Sequence, residues 1–554
     1  MRMVSSGDSI PHDESLSHLM QAVLAVGTAI SGARAWSATQ QAVAPVLVFD
    51  QPGRGDRAAR QAMQAALVDK TEIWIWPSAE GTGWLARQSA TLKSSYRLLP
   101  RGLDLSVILQ QVSATFTVDA DEGWLALLAG CPLHVYGRAH YAGWGLTQDY
   151  AGAAKLATAS LSLPQLFEIV YQRLACYRHP SGSGTGSLEL LLESLALQQQ
   201  VRRRFADMDQ PAVLRFQLWK RRFAAAYLGA GLGRLRWVKQ GSELRARDQA
   251  IVWGGKPAED VPAENPVYRI EDGFFHSCGL GSDMVAPRSQ VIDRQRLYFD
   301  ARGPSDLSDI LNHHVFTPEL LLRAARLREQ VCKAGVTKYN LGRRRPVWRA
   351  PAGARVVLVP GQVADDASIR FGTGRFASAE DLLLEVRRRR PEAFIVYKPH
   401  PDVLSGNRKG LIEAAQLADI VDSKSDVLSL IEAADEVHTL SSLAGFDALL
   451  RGREVVTYGK PFYAGWGLTE DVLAPLPWRE RELTLDALVA GALILYPVYW
   501  DWQMQLFCTP ESVVEDLQED AARPLRPVQK DRLRFPRKML RWLENAVWYA
   551  RHGR

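Results

Sequence analysis

The chain has 554 residues, 47% of them hydrophobic and 23% charged, which excludes wholesale disorder or a fibrous repeat and predicts roughly three to four globular units. The net charge of +6 sits at the carboxyl end, where ten Lys/Arg face only Asp531 and Glu544 between Arg523 and Arg554. The body is therefore near neutral, and no nucleic-acid groove is expected across it. Five scattered cysteines (Cys131, Cys176, Cys278, Cys332, Cys508) without a CxxC pair fit reduced thiols and speak against a zinc module.

The start, MRMVSSGDSIPHDE, lacks the basic start and apolar run of a secretory signal, so a cytoplasmic chain is expected. The apolar stretches around 19–33 and 487–498 are too short or too interrupted to span a bilayer of about 30 Å. In chain order, VLVF at 46–49 reads as a strand breaking into a polar turn, and 161–180 has helix periodicity. SGSGTGS at 181–187 reads as a flexible linker. A helix is expected over 188–208, then a set of strands opening at 250–253 and ending near 311. A strand over 356–359, a helix over 378–389, and strands over 394–397 and 454–458 follow, with another helical pattern over 483–502. Alternating strands and helices imply doubly wound parallel sheets, whose active groups gather at the carboxyl ends of the strands. In the tail, Phe535, Met539, Trp542, Leu543, Ala546 and Val547 recur at three- and four-residue spacing beside Arg537, Lys538 and Arg541. This basic amphipathic helix suits an anionic membrane surface, or else packs on the protein with its charges solvated.

An internal repeat organises the chain. Residues 123–149 (GWLALLAGCPLHVYGRAHYAGWGLTQD) and 445–471 (GFDALLRGREVVTYGKPFYAGWGLTED) share 15 of 27 positions at a constant offset of 322, and the likeness extends upstream and downstream, so a domain is duplicated. The expected division is an amino-terminal segment (1–40), a half-module resembling a nucleotide-binding lobe (41–180), the linker (181–187), an acceptor-side lobe (188–345), a nucleotide-sugar lobe (346–505) and the basic tail (506–554). The first copy has no room for an amino lobe of its own.

The second copy carries GQVADD (361–366), KPHPD (398–402), SSLAGFDAL (441–449) and GKPFYAGWGLTED (459–471), preceded by RIEDGFFHSCGLGSD (269–283) and YFDARGPSDL (298–307). Together these closely resemble the KpsC/LipA family of bacterial capsule β-Kdo glycosyltransferases, strongly over about 250–510 and more loosely over 46–180. The resemblance implies an α/β, GT-B-like module of two Rossmann-type lobes, plus an extra amino-terminal Rossmann-type lobe from the incomplete first module. It implies transfer of Kdo from CMP-Kdo to a lipid-linked oligo-Kdo acceptor with retention of configuration, and no cofactor or metal. The implied partners are that donor and acceptor, the anionic inner-membrane surface and other capsule assembly proteins, with a peripheral place on the inner membrane. A non-catalytic scaffold that binds nucleotide or glycan, or a transferase for a related CMP-ulosonic acid, are the competing readings.

In that family the HP histidine contacts the nucleotide phosphate, and His400 holds its position. The hydroxyls of Ser441 and Ser442 and the amides of the following helix can add donors, or the serines merely cap that helix. Asp447 resembles the ribose-binding acid, with a solvated helix acid as the alternative. Retention is most simply obtained by double displacement through a carboxylate. The Gln362–Asp366 pattern places Asp366 as nucleophile, with Asp365 a neighbour easily mistaken for it. The Asp-Asp pair also invites a metal, but metal-dependent sugar transferases usually space their acids by one residue. Glu271 is chosen as the base from the opposite lobe, with Asp272 the alternative. His276 stands where the family usually has arginine. Arg269, Lys398 and Lys460 are candidates to pair with the Kdo carboxylate or phosphate, or are surface bases. Tyr463 and Trp466 form a rigid turn lining the cleft, or a purely structural one, since HYAGWGLT persists in the first copy. That copy keeps Gln51 and Asp56 with one extra residue between them. It has Trp76–Pro77 for the HP pair, Asp119–Ala120 for the serines and Leu125 for Asp447, so it is read as inactive.

Overall fold

The computed structural model describes residues 12–29, 44–51, 57–67, 70, 72–78, 83–85, 96–100, 103–150, 160–179, 184–231, 233–279, 283–362, 367–374, 376, 378–400, 416–525 and 534–552. They form two compact units, Met1–Gln200 and Val201–Arg554. Asp56, Asp365 and Asp366 lie outside the described residues.

In the first unit the apolar runs become β1 (Val46–Phe49), β2 (Ile73–Trp76), β3 (Tyr96–Leu98), β4 (Ala114–Thr117), β5 (Leu133–Val135) and β6 (Gln148–Asp149). They make one parallel sheet in the order β3-β2-β1-β4-β5-β6. Alternation along β1 splits the core, Val46 and Val48 packing with Met63 on one face and Leu47 and Phe49 with Ile108 on the other. A third apolar cluster joins Leu19, Val23 and Val26 of the helix His12–Ala29 to Trp124 and Leu127. The described part of the segment expected to be a linker, residues 184–187, turns back instead. Gly186 N donates to Tyr177 O (2.9 Å), and Leu188 and Leu192 of the helix Leu188–Arg204 enter that same cluster. The unit boundary, between Gln200 and Val201, therefore falls in the last turn of this helix rather than in the Gly/Ser run.

The second unit begins with β7 (Pro211–Leu214), β8 (Arg236–Val238), β9 (Gln249–Trp253), β10 (Val267–Asp272) and β11 (Ser289–Asp293). Two of these strands precede the expected start of the set at 250, and the expected end near 311 is a helix, Asp306–His313. The second lobe of this unit supplies β12 (Val356–Pro360), β13 (Phe394–Lys398), β14 (Ile420–Val421), β15 (Glu436–Thr439), β16 (Glu454–Thr457) and β17 (Glu470–Asp471). Their order, β14-β13-β12-β15-β16-β17, all parallel, repeats the strand order of the first unit. The last strands, β18 (Val498–Asp501) and β19 (Leu506–Cys508), cross back into the amino-lobe sheet in the order β19-β18-β11-β10-β9-β7-β8. The expected lobe ending at 505 and tail starting at 506 are thus both corrected. Residues 498–508 complete the amino lobe, and Val513, Val514 and Leu517 of the helix Pro510–Ala522 are buried in the core that also takes Leu327 and Val331. Among the described residues no helix is long and apolar enough to cross a membrane.

Candidate functional site

Each strand of the β12–β15 pair ends in a polar residue tied to the other. Gln362 follows β12, and its Oε1 accepts from Ser441 N (2.8 Å) while its Nε2 donates to Ser441 Oγ (3.2 Å). Ser442 caps the helix Leu443–Leu450, its side chain accepting from Ala444 N (3.2 Å). The serines are therefore a cap and a strand-end tie at once, and both remain half-buried at the crevice. His400, two residues past β13, is half-buried beside them in strand order. At the end of β13, burial pulls the Lys398 ammonium below its ordinary value, against the opposing field of Asp422 and Asp426. Lys460 follows β16 and is anchored through its amide to Gly372 O (2.7 Å). On the helix, Asp447 is not a solvated acid: burial raises its carboxyl to about 6, with Arg451 opposing.

The amino lobe brings a second group to the end of β10. Burial, then the adjacent Asp272, push the Glu271 carboxyl above the ordinary range, with Lys220 and Lys338 pulling the other way. Burial would raise Asp272 too, but His276 and then Lys338 and Lys220 hold it at about 2. His276, 2% exposed, places Nε2 3.0 Å from Asp272 Oδ2 and Nδ1 2.5 Å from Ser277 Oγ. It thus positions Asp272 from within the core. Two neighbouring carboxyls whose environments drive them apart suit an acid–base role for Glu271, with Asp272 the fixed charge. Arg269 is committed elsewhere, Nη1 donating to Gly254 O (2.8 Å) and Lys256 O (2.9 Å).

The two groups meet through glycines. Gly254 has φ +59, and a Cβ there would lie 2.8 Å from Glu271 Oε2. A Cβ on Gly255 would lie 2.8 Å from the ring of Phe371, in the helix Ala367–Gly372 that starts one residue after Asp366. Arg302, from the YFDARGPSDL segment, covers that ring at 3.8 Å. The glycine pair after β9 is the signal in the sequence that marks this approach. Lys220, with its ammonium 3.3 Å from the Trp253 ring centroid, and Lys338 escaped the sequence reading because nothing in their local pattern distinguishes them.

Tyr463 and Trp466 do not line the cleft, since their side chains are 0% and 1% exposed. Tyr463 Oη donates to Ser442 O (2.5 Å) and Trp466 Nε1 to Phe462 O (2.8 Å). Gly465 N and Thr469 Oγ1 both donate to Asp471 (2.7 and 2.6 Å). The first unit repeats this bond for bond: Tyr141 to Ala120 O (2.5 Å), Trp144 to His140 O (2.9 Å), and Gly143 and Thr147 to Asp149 (2.9 and 2.7 Å). Asp119 N likewise donates to Gln51 Oε1 (3.1 Å). What differs are the side chains at the positions of Ser441 and Asp447. The Asp119 carboxylate takes the Arg138 amide, and Leu125 lies where a Cβ on Gly27 would come within 2.7 Å of it.

Two parallel sheets of one strand order and a mixed seven-stranded sheet, in which β11 and β18 run antiparallel to their neighbours, define an α/β protein of GT-B-like build. The sequence profile described as "Capsule polysaccharide biosynthesis protein" matches residues 82–177 and 344–499. The capsule polysaccharide modification protein LipA of Neisseria meningitidis serogroup A is 38% identical over 487 residues, 82% of this chain and 68% of LipA. Among solved structures, a Thermosulfurimonas dismutans KpsC β-Kdo 2,4 transferase is 28% identical at a TM-score of 0.50, covering 56% of this chain and 98% of its own. The β-Kdo 2,7 transferase of the same organism is 34% identical at a TM-score of 0.46, covering 56% of this chain and 99% of its own. The chain belongs to the KpsC/LipA family of capsule polysaccharide proteins.

Proposed function

We propose that the second unit is a retaining β-Kdo transferase, taking Kdo from CMP-Kdo and adding it to a lipid-linked oligo-Kdo acceptor without a metal. The observation that carries this is the packing of Phe371, five residues after Asp366, against Gly255, beside the Gly254 position that Glu271 fills. The helix that follows Asp366 in sequence thus meets the lobe that carries Glu271, which supports a nucleophile and a base drawn from opposite lobes. In the first displacement the Asp366 carboxylate bonds to the anomeric carbon as its bond to the CMP phosphate oxygen breaks, and the electron pair leaves with CMP. His400, Ser441 and Ser442 receive that phosphate. In the second, Glu271 takes the proton of an acceptor hydroxyl, whose oxygen displaces Asp366. Lys398, Lys460 and the lysines beside Glu271 supply cations for the two acidic sugars.

The reading also puts the enzyme at an anionic membrane surface, where a lipid-linked acceptor lies, with the basic carboxyl-terminal segment as the contact. The test is transfer from CMP-Kdo generated in situ to a synthetic Kdo-terminated lipid acceptor, with and without chelator. Wild type and Asp56→Ala should form product equally in both. Asp366→Ala should lose at least about a thousandfold, and Glu271→Gln about a hundredfold. Full activity in Asp366→Ala would sink the reading.

A further inference from the structure

The helix Arg534–His552 turns most of its large apolar residues away from the protein. It packs along the helix Leu218–Leu228, with the Arg221 guanidinium 4.6 Å from the Tyr549 ring and Arg541 Nη1 donating to Asp283 O (2.9 Å). The side it turns to the protein combines polar groups with two half-buried aromatics, Trp548 and Tyr549. Asn545 is 2% exposed, its Oδ1 buried with no hydrogen-bond partner among the described residues, and Lys538 and Arg541 are half-buried. Six large apolar residues face outward: Phe535 (73% exposed), Met539, Leu540, Trp542, Leu543 (50%) and Val547 (50%). The spacing of three and four keeps them on one stripe. Burying an amide at a cost while exposing six large apolar side chains is the reverse of what a solvated surface helix does.

We infer that this stripe is a membrane-docking face: the helix lies in the plane of an anionic bilayer with Phe535, Met539, Trp542, Leu543 and Val547 among the acyl chains. Charge selects this occupant. The segment from Arg523 carries ten Lys/Arg against two acids, which lipid phosphates would satisfy. A second copy docked on the same stripe would bring two such basic segments together. A single helix stripe also falls short of the roughly 1,200 Å² that a stable dimer buries. The inference refines the membrane contact proposed above by stating which face makes it. It ties the amino lobe to the surface, since the helix rests on Leu218–Leu228 and two residues of that helix, Lys220 and Arg221, reach Trp253 and Tyr549.

The experiment is co-sedimentation of the full chain with phosphatidylglycerol-containing vesicles and with phosphatidylcholine vesicles. It compares wild type with Leu543→Glu/Val547→Glu, and measures molar mass in solution and transfer to a short, water-soluble Kdo acceptor in parallel. Wild type should bind the anionic vesicles in a salt-dependent way, and the double variant should bind them at least about tenfold more weakly. Both should have one mass and equal transfer to the soluble acceptor. Equal vesicle binding by the two proteins, no binding by wild type, or a wild-type dimer that the double variant splits would each overturn the inference. Loss of transfer by wild type with vesicle binding intact would instead count against the transferase reading alone.

Discussion

At the residue scale Asp447 is the informative group, because its environment opposes its charge. Its carboxyl is raised to about 6 by burial, against an ordinary value of 3.8. The folded state therefore holds a proton that the unfolded chain has released between those values, so stability falls as pH rises through that window and the penalty is complete above it. A shift of about two pKa units corresponds to at most about 3 kcal/mol. Asp447→Asn should unfold at higher urea than wild type at pH 8, with an advantage that shrinks as pH falls through 6 toward 4. A difference independent of pH would refute this. If Asp447 receives the ribose, the same variant should bind CMP more weakly while being more stable, a combination that a merely structural acid does not give. The sequence placed Asp447 in its motif but not in its burial. That comes from the helix Pro318–Ala334, whose Cys332 Sγ donates to Leu450 O (3.3 Å), a contact across 118 residues that no local pattern announces. His276 and Asp272 are only four residues apart but share no helix, and it is the bend after β10 that brings the imidazole back onto the carboxylate.

Among the elements, the GWGLT turn shows how a repeated motif can mislead about function. Survival in both copies fits a ligand-binding loop and a structural staple equally well, and only the buried tyrosine, tryptophan and aspartate acceptors decide for the staple. Tyr463 Oη holds the carbonyl of Ser442, the cap of the helix that opens on the crevice, and Gly445 is required there because a Cβ would come 2.3 Å from that hydroxyl. Tyr463→Phe should cost about 1 kcal/mol or slightly more through the unpaired carbonyl, and lower transfer several-fold by loosening the Ser441–Ser442 corner. Tyr141→Phe removes the same bond in the first unit (2.5 Å) and should cost similar stability while leaving transfer unchanged. Equal loss of transfer in both variants would contradict this assignment of the site. The helices and strands of the repeat were readable because their periods are local. The return of β18 and β19 to the amino-lobe sheet was not, since short strands such as VYWD pair according to which edge is open, and the open edge of β11 lies some two hundred residues earlier in the chain.

At the scale of the whole molecule the question is how many nucleotide sites two copies of one topology provide. The strand orders are the same, and so are the glutamine ties: Gln51 to the Asp119 amide, Gln362 to the Ser441 amide. The scaffolds are equivalent, and only the crevice chemistry separates them. In the first unit a carboxylate stands at the serine position. At about 4 Å from a phosphate it would cost about 4 kcal/mol per unit charge at an effective dielectric constant of about 20. Leu125 packed against the Gly27 position removes the acid that faces the helix in the second copy. Calorimetric titration of the full chain with CMP should therefore give one equivalent. His400→Ala should abolish that binding, whereas Asp119→Ser should leave it at one, because Leu125 and Trp76 still replace the ribose and phosphate contacts. Two equivalents in wild type, or one equivalent surviving in His400→Ala, would mean that the first unit binds nucleotide after all. The duplicated sheet would then be a second working site rather than a scaffold kept for its packing.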